Sequence, residues 1–363
     1  MEEKTMKKIA IMLVLALVLG LFAGCAGNIV VVGDCTCPTG GHTNNPTNPA
    51  PTTPKPTQPP VEGALKTGLA IVTSVAKSEN AKVADYDVTL VAVLVDDNGV
   101  IQDCIIDSIG AKVEFDATGT ITSDINAEVK TKNELGDAYG MVAWGGAIAE
   151  WYQQADALAQ FAIGKTVSEL KNGAIDETGK APAGSDLASS ATIYLGGYVS
   201  AVEEAVKNAQ HLGAQGGDEL RLAAIPSLKS SVSATAEKAG TAQLDCDVTA
   251  LTVKDGIIPT CYIDSLQAKV SFGTDGVITT DISAPVATKN QLGEKYGMVA
   301  WGGAIAEWNV QAASFASYVT GKTAAQVAGI AVNEGTKPPG ADLATSVTIA
   351  IGGFQALIAK ALA

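Results

Sequence analysis

Tyr139-Gly-Met-Val-Ala-Trp-Gly-Gly-Ala-Ile-Ala-Glu-Trp151 recurs, letter for letter, as Tyr296 to Trp308. The chain is therefore one module written twice, and the match spreads outward from this block. TKNELGDAYG is answered by TKNQLGEKYG, DCIIDSIGAKVEF by TCYIDSLQAKVSF, and SDLASSATI by ADLATSVTI. Paired positions carry the information, because a copy this faithful keeps residues that packing alone would let drift. The 363 residues are enough for two cores. The division is a first repeat over 63–212, a linker over 213–221 and a second repeat over 222–363. Gly213-Ala-Gln-Gly-Gly-Asp218 in that linker predicts some freedom between the repeats.

Upstream of the block each repeat alternates apolar and polar residues and is rich in β-branched ones. Asp85-Tyr-Asp-Val-Thr-Leu-Val-Ala-Val-Leu-Val95 is followed by a turn at Asn98-Gly99 and by Val100 to Ile109. Asp245 to Val253, Asp255-Gly256 and Ile257 to Leu266 repeat this order. Asn-Gly and Asp-Gly tolerate the positive φ of a tight hairpin. A further strand is predicted over Ala111 to Phe115 and over Ala268 to Phe272, with turns at Thr118-Gly119 and Asp275-Gly276.

Downstream the period changes. Ile148, Trp151, Ala155, Leu158 and Ala162 fall three and four apart, as do Ile305, Trp308, Ala312, Phe315 and Val319. That is the buried stripe of an amphipathic helix. Gly164-Lys-Thr and Gly321-Lys-Thr stop it, and short helices follow at Val167 to Lys171 and Ala324 to Ala328. A last helix is predicted with Asp186 or Asp342 as its N-cap. The fold class is α+β: two tandem copies of a small antiparallel sheet covered by helices.

The N-terminal region reads as address and tether. Lys7-Lys8 precedes an apolar run from Ile9 to Gly24 that ends in Leu21-Phe-Ala-Gly-Cys25. A basic start and a short apolar core make a secretory signal over 1–24, and the run is too short for a membrane span. Residues 25–62 include a Pro- and Thr-rich stretch that cannot bury enough apolar surface to fold. It would reach on the order of 100 Å at ~3.1 Å per residue. Cys35, Cys37 and His42 make a weak metal set, and a local disulfide or free thiols fit them better. Cys104 and Cys261 are equivalent and read as small buried residues, whereas Cys246 matches Tyr86.

A net charge of -14 argues against nucleic acid and against basic adhesion to an anionic membrane. The only histidines are His42 and His211, so neither repeat holds a histidine base, a Ser/His/Asp triad or an HExxH site. Trp144 and Trp301 stand beside Gly-Gly, where a planar ligand could stack on the indole; a core tryptophan next to a helix start is the competing reading. Trp151 and Trp308 lie on the helical stripe and read as core. Glu150, Glu307, Asp107 and Asp264 fit either ligand contacts or capping. Asp186, Ser189 and Thr192 recur as Asp342, Thr345 and Thr348, on one face at a helix start, where free N–H groups favour anions.

Asp186-Leu-Ala-Ser-Ser-Ala-Thr192 and Asp342-Leu-Ala-Thr-Ser-Val-Thr348 resemble the flavinylation motif Asp-x-x-Ser/Thr-x-x-Thr/Ser, which ApbE-type flavin transferases modify. The commoner form ends Ser-Gly-Ala-Thr; here Ser190-Ala191 and Ser346-Val347 precede the threonine. With TKNELG, YGM, EW and GGF, the pattern from about Leu69 to the C-terminus is similar to the FMN-binding lipoproteins of Gram-positive bacteria, of the PplA type. Leu-Phe-Ala-Gly-Cys25 likewise resembles a lipobox, in which Cys25 takes the lipid. The resemblance implies FMN esterified through its phosphate to Thr192 and Thr348, and a lipid anchor on the extracytoplasmic face of the cell membrane. It also implies an electron carrier rather than a catalyst with its own active site. The implied partners are a flavin transferase, a membrane oxidoreductase as electron donor and an extracellular electron acceptor. The rivals are a lipoprotein that binds a solute or FMN without covalent flavin, and a purely structural surface module.

Overall fold

A computed structural model of the protein describes residues 63–363. The signal reading of 1–24 and the tether reading of 25–62, with Cys25, Cys35, Cys37 and His42, lie outside the described residues. Within them, burial along one strand sets the architecture. In β2 (Val83–Val95), Ala84, Tyr86, Val88, Leu90, Ala92 and Leu94 join one apolar cluster, and Val91, Val93 and Val95 join another. Successive side chains of a strand face opposite sides of its sheet, so this sheet is covered on both faces.

β2 is the middle strand of an antiparallel sheet, between β1 (Lys66–Ser74) and β3 (Ile101–Glu114). The second repeat matches it, with β5 (Gly240–Lys254) between β4 (Glu219–Ser227) and β6 (Ile257–Phe272). One face of each sheet contributes to a single shared core, in which Tyr86, Val88 and Leu90 meet a cluster that includes Leu244, Cys246 and Val248. Phe115 and Phe272 stack there, with ring centroids 4.0 Å apart and planes 3° from parallel. Backbone bonds join the copies as well: the Ala81 N–H donates to the Gly276 carbonyl at 2.7 Å, and the Ala234 N–H to the Gly119 carbonyl at 2.8 Å.

The outer faces carry the helices. In the first repeat these are α1 (Lys132–Leu135), α2 (Met141–Gly145), α3 (Trp151–Ala162), α4 (Val167–Ala174), α5 (Asp186–Ser190) and α6 (Gly196–Lys207). In the second they are α7 (Lys289–Leu292), α8 (Met298–Gly302), α9 (Trp308–Val319), α10 (Ala324–Ala328), α11 (Ala341–Ala344) and α12 (Gly352–Ala361). The layers run helices, sheet, sheet, helices. The α+β class and the pairing of each sheet with helices agree with the sequence reading.

Four local expectations are corrected. The freedom predicted at 213–218 is absent: Ala214 is fully buried, its carbonyl accepts the Leu65 N–H at 2.8 Å, and β4 already begins at Glu219. A sheet with helices on one face leaves its other face apolar, and the second copy covers it. Residues 111–115 form no separate strand, because β3 runs unbroken through Gly110 to Glu114. Strands β1 and β4, not predicted from the sequence, complete the sheets at their edges. The helix predicted from Ile148 starts instead at Trp151, and Ile148 and Ile305 are 58% and 56% exposed.

The fourth correction concerns the motif. Ser185, not Asp186, is the N-cap of α5, its hydroxyl accepting the Ala188 N–H at 3.2 Å, and Gly340 holds that place before α11. Both helices end before the threonine, so Thr192 and Thr348 lie in the connection that follows, whereas Ser189 is on α5 and Thr345 is the C-cap of α11.

Candidate functional site

Three segments converge on the first turn of α3. Glu150 precedes it, and its buried carboxylate accepts the N–H groups of Met141 at 2.8 Å and Val142 at 2.9 Å. Those are two of the donors that the start of α2 leaves without an intrahelical partner. Trp151 is buried, and the Lys132 ammonium sits 4.9 Å from its ring and 5.2 Å from that of Tyr139. Cation–π attraction of this kind contributes about 0.5–2 kcal/mol. Gln154, fully buried one turn on, turns its Oε1 to the Thr192 N–H at 2.8 Å and the Ile193 N–H at 3.2 Å, and accepts from the Thr192 hydroxyl at 3.3 Å. Its Nε2 donates to the Ala149 carbonyl at 2.8 Å, which fixes which way the amide faces.

The second repeat reproduces each part at the start of α9. Glu307 accepts Met298 and Val299 N–H at 2.8 and 3.0 Å, and Lys289 lies 4.8 Å from the Trp308 ring. Gln311 accepts Thr348 N–H at 2.8 Å, Ile349 N–H at 3.2 Å and the Thr348 hydroxyl at 3.2 Å. Residues i and i+4 lie on one face of a helix. The segments bearing Trp144 and Thr192 are thus both tied to neighbouring side chains of one helix start. Gln154 and Gln311 also explain why α5 and α11 stop: their amides take N–H groups that a longer helix would have spent internally.

The tryptophans divide sharply. Trp151 and Trp308 are core, as expected, whereas Trp144 and Trp301 are 89% and 90% exposed. The core reading of that second pair is excluded. Each indole lies over a glycine, Gly140 or Gly297, at φ +81°, and a Cβ there would overlap the ring. Val142 and Ile148 add to the exposed apolar surface around Trp144, as Val299 and Ile305 do around Trp301. Apolar side chains clustered in the open mark a place where something docks. Replacing Trp144 and Trp301 with Leu is expected to change unfolding stability by no more than about 0.5 kcal/mol, as at other surface positions. Chemical denaturation of the variants checks this, and a loss of several kcal/mol would return these residues to the core.

Glu150 and Glu307 cap, and so do Asp107 and Asp264. Asp107 accepts Ser108 N–H at 2.7 Å and Asn133 N–H at 3.1 Å, holding the segment that carries Lys132. Asp264 does the same for Ser265 at 2.7 Å and Asn290 at 3.0 Å. Burial pushes both carboxyls up to about 6, against the bonds from Thr131 or Thr288 and the backbone N–H groups. With the folded value raised above 3.8, the folded chain holds more protons between about pH 4 and 6, so these groups make stability fall as pH rises through that window. Asn mimics the protonated carboxyl. Asp107→Asn and Asp264→Asn are therefore expected to raise stability at pH 7–8 by on the order of 2 kcal/mol each and to flatten the pH 4–6 dependence. Urea titrations across pH check both effects.

The exposed residues Asp186, Ser189, Asp342 and Thr345 stay close to their own short helices. The Ser189 hydroxyl donates to the Asp186 carbonyl at 2.6 Å, and Thr345 to the Asp342 carbonyl at 2.9 Å. Their carboxylates and hydroxyls flank the threonine in sequence and face outward, where an external protein could read them. Sequence reasoning missed Gln154, Gln311, Lys132 and Lys289. The signal for the glutamines was a polar residue inside the apolar stripe, kept in both copies while Tyr152 and Gln153 beside it became Asn309 and Val310. For the lysines it was the repeated TKN.

Among the described residues no cluster of three or more His, Cys, Asp or Glu could hold a metal ion, and no helix is long and apolar enough to cross a membrane. No family model, no curated protein and no solved structure matches this chain.

Proposed function

We propose that each repeat carries one FMN, esterified through its phosphate to Thr192 or Thr348, and that the chain is an electron carrier tethered outside the cell membrane by lipid on Cys25. The observation that carries this reading is the duplicated anchoring of the threonine. In both copies a fully buried glutamine holds the threonine outside any helix through the same three hydrogen bonds, with Thr192 exposed and Thr348 half-buried. A residue needed only for packing would not require this.

The residues fit the group. The Thr192 hydroxyl donates to Gln154 Oε1 at 3.3 Å on an exposed residue, a bond long enough to give way to an incoming phosphorus. Among the described residues its hydrogen-bond partner is an amide and not a base, which suits a reaction whose base belongs to the transferase. The Oγ–P bond forms at the FMN phosphorus as the P–O–P bridge of a flavin dinucleotide donor breaks; the hydroxyl proton passes to the transferase and the nucleoside monophosphate leaves. Bound FMN supplies the redox chemistry, and the protein supplies attachment, orientation and electrostatics. Trp144 and Trp301 offer an indole face, and Lys132 and Lys289 a cation, near the same helix start. Outside a membrane a non-covalent flavin is lost to dilution, while an ester keeps it at high effective concentration.

The test is the intact mass of the mature protein made with and without an active ApbE-type transferase. Two added FMN groups that survive denaturation are expected; their absence favours a lipoprotein that binds a solute or FMN without a covalent link. Anchoring has its own test, since Cys25→Ser is expected to release the protein from the membrane fraction or leave it unprocessed. Membrane retention after correct cleavage would rule out lipidation at Cys25.

A further inference from the structure

Helices α3 and α9 share part of their buried face and differ along one flank, where each change is to a smaller residue. Trp151, Gln154, Ala155 and Ala159 of α3 return unchanged as Trp308, Gln311, Ala312 and Ala316 of α9. Tyr152, Asp156, Gln160 and Ile163 return as Asn309, Ala313, Ser317 and Thr320, each a smaller residue. Their spacing of four, four and three puts them on one side of the helix. In the second repeat that side borders a cleft of about 1000 Å³, between α9 and Tyr262 and Ile263 of β6, with Gln210 and Leu212 from the first repeat at its end. This is the size of a small-molecule site.

The chemistry of the lining narrows the ligand. No carboxylate, lysine or arginine lines the cleft; its polar groups are amides and hydroxyls, set among Ile263, Val310 and Leu212. Asn309 Oδ1 is buried and has no hydrogen-bond partner among the described residues. An acceptor left so is costly, and because the atom is closed off from solvent, Asn309 would turn its amide into the cleft to take a ligand hydroxyl. Asn290 commits its Nδ2 to the Ile263 carbonyl at 3.0 Å, and Tyr262 OH accepts from Gln210 Nε2 at 3.2 Å while its ring adds aromatic surface. An anion would meet no cation here and a net charge of -14 around it. An apolar ligand would leave Asn309 unpaired.

We infer that the second repeat binds a neutral, polyhydroxylated ligand of the saccharide class in this cleft, along a flank where the first repeat carries larger side chains. The site is separate from the threonine and does not depend on flavin.

The experiment titrates the full chain with glucose, N-acetylglucosamine and cellobiose, reading backbone amide shifts by NMR. Saturable shifts are expected at Tyr262, Asn290 and Asn309 with at least one sugar, and none at Ile105, Asn133 and Tyr152. Asn309→Tyr combined with Ser317→Gln restores the residues that α3 already carries in a folded repeat, and should weaken binding by roughly tenfold or more. Ala313→Asp, at an exposed position, tests the same closure with less demand on folding. No saturable shift with any of the three sugars, shifts centred elsewhere, or unchanged binding by the filled variants would overturn the inference.

Discussion

Thr192→Ala and Thr348→Ala are each expected to remove half of the covalent flavin, and together all of it. Only these two positions combine the end of the motif with a hydroxyl, and each is held by its own glutamine, so each repeat should be modified independently. Folding should survive. The alanine variants keep the backbone N–H bonds to Gln154 and Gln311 and lose only the longer hydroxyl contacts of 3.3 and 3.2 Å, at a cost of about 1 kcal/mol or less. Intact mass after denaturation gives the flavin count directly. Flavin retained on the denatured double variant would place the linkage elsewhere.

Phe115→Ala is expected to lower the stability of both repeats at once, by about 3–5 kcal/mol. Phe115 is buried in the shared core and stacks on Phe272 of the other copy, so its loss opens a cavity against both sheets. A typical total stability of about 5–15 kcal/mol makes that a large fraction. Phe272→Ala should cost about as much, and a double-mutant cycle should show coupling of about 0.5–1.5 kcal/mol between the rings. The shape of the transition is as informative as its position. With one core between the sheets, calorimetry should give a single transition that moves as a whole. Two transitions, of which Phe115→Ala moves one, would mean that the repeats unfold separately.

The sequence by itself determined the duplication, the α+β class, the hairpins at Asn98-Gly99 and Asp255-Gly256, and the buried stripe from Trp151 to Ala162. All of these are local: a turn needs positive φ, a helix needs a period of 3.6, and a short window carries both signals. Only the tertiary structure decided that the copies share a core. The second half of β2, Leu90 to Val95, is apolar on both faces, and such a continuous apolar run marks a strand covered on both sides. The run does not say by what, and the second sheet of the same chain is the answer. Tertiary structure also decided the fates of the paired residues. Trp144 and Trp151 sit in the same repeated block, yet one is 89% exposed and the other buried, because the Glu150 carboxylate caps α2 and turns the chain between them. Thr192 left the helix predicted for it because Gln154, distant in sequence, supplies the acceptor its backbone needs. Contacts between residues far apart along the chain leave no period to read, and they alone place the indole and the threonine at one helix start.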